Sequence, residues 1–129
     1  MDPEIYYGTT WMVDSRKYPN SATDLAEITG VPDQLNRTEL PLTLSHNGKM
    51  LAFLLLGKDR TESFLDDFGL RTSEYRDLVG RVVKIWARVE TFDDHPVIVG
   101  PLYGIKPEPQ ARLAGLKVTT QFNNGAAHP

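Results

Sequence analysis

Residues 40–57, LPLTLSHNGKMLAFLLLG, decide how the rest of the chain is read. Asn47-Gly48 suits a type I′ turn, which needs positive φ at both central positions. A two-residue turn there sets Leu44 opposite Leu51, Leu42 opposite Phe53 and Leu40 opposite Leu55. All six fall on one face, so turn chemistry and apolar register predict the same hairpin. The other face of the second strand carries Met50, Ala52, Leu54 and Leu56, which predicts a strand covered on both sides.

C-terminal to this hairpin the period changes. Thr61 can cap a helix in which Phe64, Leu65 and Phe68 recur at helical spacing and Gly69 ends the pattern. A second helical piece starts at Thr72 or Ser73, presents Tyr75, Leu78 and Val79, and stops at Gly80. Residues 78–107, LVGRVVKIWARVETFDDHPVIVGPLYGIKP, then read as another hairpin. Val83, Ile85, Ala87 and Val89 share one face; Lys84, Trp86, Arg88 and Glu90 share the other. A three-residue loop over Asp93–His95 pairs Val89 with Val99, Ile85 with Tyr103 and Val83 with Ile105. A two-residue loop would pair Val89 with Ile98. The three-residue loop is preferred because it gathers the apolar set on one face. Pro101 implies an edge position or a bend. Gln110–Ala114 suits one helical turn, and Leu116–Phe122 alternates as a last strand.

N-terminal to the first hairpin, residues 5–13 are rich in aromatic and β-branched types and read as a strand, with Ile5, Tyr7, Trp11 and Val13 on one face. Residues 14–20 are polar and read as a loop. Ser21 can cap a short helix through Asp24 and Ile28, with Gly30 and Pro32 stopping it.

Setting aside that first helix and the last strand, the order is strand, hairpin, helix, hairpin. It resembles the order of an oligonucleotide-binding (OB) barrel, where a helix lies between the third and fourth strands. The fold class expected is α+β, mainly β: a small OB-like barrel, or a strongly curved antiparallel sheet, with a helix packed across it. Residues 1–122 are expected to form a single domain and 123–129 a mobile tail. At 129 residues the chain is long enough for one core without metal or disulfide support.

Composition narrows the function classes. With no cysteine, disulfides, thiol nucleophiles, iron–sulfur clusters and thiolate zinc sites are excluded. A net charge of -3 argues against a surface that coats DNA, so a nucleic-acid role would need a local patch. The first residues lack a basic start and an apolar run, and the longest apolar run, Met50–Leu56, is too short for a bilayer. No membrane association and a cytoplasmic location are therefore expected. Asn36-Arg37-Thr38 matches a glycosylation sequon, read as coincidence without an export signal.

Candidate chemistry centres on Trp86. Between Lys84 and Arg88 on the face opposite the core, its indole could stack a base while the cations meet phosphates, and Tyr6 and Tyr7 could extend that surface. The competing reading covers Trp86 with a second layer such as the 61–79 helix, and the acidic composition favours it. Asp93, Asp94 and His95 could ligate a divalent cation, with His46 joining if the two hairpin loops share an end. Adjacent turn side chains diverge, however, and Asp is a common turn former. Asp66-Asp67 diverge likewise on a helix and are expected on its solvated face. No phosphate loop, nucleophile elbow or paired-histidine motif occurs. No catalytic residue, cofactor or metal is expected. The leading expectation is a non-catalytic binding or accessory module acting through a protein partner or self-association, with a homodimer as one form. Single-stranded nucleic-acid binding through the Trp86 face is the first alternative, and a small enzyme or ligand-binding barrel the second.

Overall fold

The structure, a computed structural model, describes residues 6–8, 16–111 and 121–123. In chain order the elements are β1 (Tyr7–Gly8), β2 (Ser21–Gly30), β3 (Glu39–His46), β4 (Lys49–Leu56), α1 (Lys58–Asp67), a 3-10 helix (Thr72–Leu78), β5 (Val82–Phe92), β6 (His95–Pro107) and β7 (Gln121–Asn123). The fold is α+β and mainly β. Its antiparallel strands form a nearly closed, barrel-shaped sheet with a helix packed against it.

Strands β2, β3 and β4 pair in succession, β2 also pairs β5, and β5 pairs β6. That connectivity, with α1 between β4 and β5, is OB-like. The strand in the first barrel position is Ser21–Gly30, not residues 5–13. The expected helix at 21–30 is thus a strand. Its helical signals are local, and a helix of that length is marginal in water. As a strand it hydrogen-bonds β3 and β5 on its two edges and places Ala22, Ala26 and Ile28 in the core. Partners remote in sequence override the local preference.

The β3–β4 hairpin has the expected register: Leu44 faces Leu51, Leu42 faces Phe53 and Leu40 faces Leu55. Asn47 and Gly48 take φ of 49° and 79°, the left-handed pair that a type I′ turn requires. Leu40, Leu42, Leu44, Phe53 and Leu55 enter the core. The outer face of β4 is not covered as expected. Met50, Leu54 and Leu56 are exposed, and so is Ala52.

The β5–β6 hairpin turns through two residues, not three. Asp93 and Asp94 have φ of 49° and 62°, a conformation Asp tolerates through local side-chain hydrogen bonding. Val89 therefore pairs Ile98, Ile85 pairs Ile105 and Val83 pairs Pro107. The apolar face is recovered by irregularities rather than by loop length. From Val89↔Ile98 to Ala87↔Leu102, β6 advances four residues while β5 advances two. Pro101 sits inside that bulge, where a residue without an N–H is tolerated.

Helix α1 begins after Gly57. Thr61, expected as its cap, lies inside it and donates its hydroxyl to the Gly57 carbonyl at 2.9 Å. Phe64, Leu65 and Phe68 pack into the core, as do Tyr75 and Leu78 of the 3-10 helix. Tyr75 donates to the Asp33 carbonyl at 2.7 Å, tying the helical layer to the β2–β3 loop. Strand β1 pairs β6 and lies against β4, at the seam where β4 and β6 are not joined by a ladder. Of the remaining expectations, Ile5, Trp11 and Val13 lie outside the described residues, as do 112–120 and 124–129. Gln121 and Phe122 of the expected last strand pair with the start of β2, and so does Asn123, which the sequence reading places in the tail.

Candidate interaction face

The site expected around Trp86 is not a surface. Trp86 is fully buried, as is Tyr6, and Tyr7 is nearly so. The cover is not the helical layer. Three tyrosines supply it: Tyr6, Tyr18 and Tyr103 meet the indole at centroid distances of 5.9, 5.1 and 5.2 Å, all edge-on. Tyr18 and Tyr103 stack on each other at 4.3 Å. The indole N–H donates to Ser21 Oγ at 2.9 Å, and that hydroxyl donates to the Tyr18 carbonyl at 2.6 Å. With both ring faces enclosed, no base can stack on Trp86 in this conformation.

The other residues expected on that face disperse. Lys84 is half-buried. Arg88 is exposed, donates to the Gly100 carbonyl at 2.9 Å and pairs with Glu90 at 3.1 Å. Tyr7 points instead to α1, where its ring meets Phe64 at 5.6 Å and its hydroxyl donates to Asp67. Burial, then the Asp67 carboxylate, pushes the Tyr7 phenol well above its ordinary value. Asp67 is thus exposed, as the helix pattern predicts, but engaged.

A polar pair inside the barrel was not anticipated. His46, expected in a loop, ends β3 with its side chain buried. Its Nε2 lies 2.8 Å from Asp24 Oδ2. The other oxygen, Asp24 Oδ1, accepts from the Leu25 amide at 2.8 Å. The expected helix at 21–30 hid this contact, because only a strand places Asp24 on the inward face. Asp93 and Asp94 are exposed at their turn. Among the described residues, no group of three or more His, Asp or Glu side chains could hold a metal ion. None of their helices is long and apolar enough to cross a membrane.

What the surface does present is the outer face of β3 and β4. Cross-strand pairs there run Ser45–Met50, Thr43–Ala52, Pro41–Leu54 and Glu39–Leu56. Met50 is 72% exposed, Leu54 47% and Leu56 52%. Beside them a shallow apolar groove of about 560 Å³ runs past Val31, Pro32, Pro41, Thr43, Ala52 and Leu54. Single exposed apolar residues are ordinary; three in one cross-strand row beside an apolar groove are the least ordinary feature of the described surface. The row is visible in the sequence at positions 50, 52, 54 and 56. Periodicity alone gives the same pattern for a covered face and for an interface. Comparison with protein-family models, curated proteins and solved structures finds no match.

Proposed function

We propose that this chain is a non-catalytic binding module that docks protein through the outer face of β3 and β4. The observation that carries the reading is the solvent-exposed row Met50, Leu54 and Leu56 beside the apolar groove. OB barrels place oligonucleotides on the face of their second and third strands, which correspond here to β3 and β4. A nucleic-acid surface needs aromatic platforms and cations. The outward positions here are Glu39, Pro41, Thr43, Ser45, Met50, Ala52, Leu54 and Leu56, with neither. Apolar side chains of this kind gain by leaving water against another protein.

Leu54→Asp and Met50→Lys test the reading. Both sites are exposed, so the fold should stay intact while protein association is lost. Val79→Lys, at a residue 49% exposed outside this face, should leave association unchanged. Equal effects from all three substitutions would contradict the assignment.

A further inference from the structure

We infer that Tyr75 and Arg76 of the 3-10 helix are positioning residues for the apolar groove: both bond the Asp33 carbonyl and so fix the groove wall formed by Val31 and Pro32. The inference rests on the docking reading above and says what holds the docking groove in shape. Every residue that lines the groove belongs to β2, β3 or β4 except two. Those two are Val31 and Pro32, which follow the last residue of β2. The sheet fixes the floor and the opposite wall, but this wall lies outside the strands and needs an anchor of its own.

The sequence makes the wall a stiff span. Pro32 locks its own φ and restricts Val31 to extended backbone, so the pair moves as one piece about its two ends. One end is Gly30, which pairs Thr43 so closely that an added Cβ would lie 3.2 Å from the Thr43 Cβ. The other end is Asp33. Its carbonyl accepts from the Tyr75 hydroxyl at 2.7 Å and from Arg76 Nη2 at 2.5 Å, which engages both lone pairs. Arg76 Nε also donates to the Tyr75 hydroxyl oxygen at 3.2 Å, so the three groups close into one network. Val31 rests its side chain on the core as well, but it is only half-buried. Tyr75 is nearly buried in the helical layer, so the network ties the position of that layer to the width of the groove. A partner seated in the groove meets a wall set in advance from behind. Loosening the network should weaken docking without removing any residue that lines the groove.

Methyl relaxation of the purified full chain tests this, with Val31 reporting the wall and Leu42 the floor. The readout is taken on the free chain, so its outcome is separate from that of the association test above. Tyr75→Phe or Arg76→Ala leaves the Asp33 carbonyl one donor and should raise the population of displaced Val31 roughly threefold. The two substitutions together should raise it on the order of tenfold, with Leu42 unchanged. A Val31 as still in the double variant as in the wild type would overturn the inference. Loosening of Val31 and Leu42 in step would overturn it too, since that marks a general loss of stability. If the double variant fails to fold, Arg76→Ala, at an exposed residue, decides alone by the same two signals.

Discussion

Trp86 donates its indole N–H to Ser21 Oγ at 2.9 Å, across the β2–β5 pairing and beneath three tyrosines. The bond joins the strand in the first barrel position to the one residue that most resembled a nucleic-acid platform. Trp86→Ala should therefore cost roughly 3–5 kcal/mol of stability through the cavity it leaves. Ser21→Ala, which strips the buried indole of its acceptor, should cost about 1–3 kcal/mol. Urea unfolding measures both. In a Trp11→Phe background, single-stranded DNA should leave the Trp86 emission unchanged; strong, salt-sensitive quenching would mean that the aromatic cover opens.

The His46–Asp24 pair makes a second prediction. His46→Ala removes one of the hydrogen-bond partners of the buried Asp24 carboxyl and should destabilise by about 1–3 kcal/mol. Replacing both residues by leucine should cost less than the sum of the single replacements, since the contact between them is then lost only once. A double-mutant cycle in chemical denaturation measures this coupling. Additive effects would place the two side chains out of contact.

Tyr7 fixes the direction of a pH effect. Its phenol is raised in the folded chain by burial and by Asp67, while in the unfolded chain it titrates near 10. Above that value the unfolded state loses this proton first, so stability falls as pH rises. The contribution is complete below pH 10 and declines above it. The stability difference between wild type and Tyr7→Phe should accordingly be constant at neutral pH and shrink in the alkaline range. A difference that grew with pH would contradict the Tyr7–Asp67 contact.

Gly104 holds the same strand by its lack of a side chain. A Cβ there would lie 2.7 Å from the Tyr6 Cβ and 2.9 Å from the Tyr7 carbonyl oxygen. Gly104→Ala should lower the thermal midpoint by forcing β1 off β6. Without a shift, β1 would not be seated as described.

Which parts of this architecture are legible in the sequence depends on where their determinants lie. Asn47-Gly48 and the leucines beside it state one register twice, by turn chemistry and by parity. Phe64 and Leu65 of α1, with Phe68 at its C-terminal cap, are legible from helical spacing. Ser21–Gly30 is misleading because its capping and stop residues are local, whereas its strand partners begin at residues 39, 82 and 121. The Asp93-Asp94 turn is ambiguous because a bulge near Pro101 restores the parity that a longer loop would otherwise have to supply. Trp86 lies opposite the core face, as alternation predicts, but Tyr6, Tyr18 and Tyr103 arrive from elsewhere in the chain to enclose it. For the candidate face the pattern was visible and its meaning was not. Alternation reports which residues share a side, and only the surrounding fold reports whether anything covers that side.

The most direct test of the docking face follows the methyl signals of Met50, Leu54 and Leu56 as protein retained by the immobilised chain is titrated into the free, labelled chain. Val79 serves as the exposed reference outside the face. The account predicts that the three face residues shift together along one concentration dependence and that Val79 stays still. Stationary signals at Met50, Leu54 and Leu56, in a chain that associates through any other surface, would contradict it.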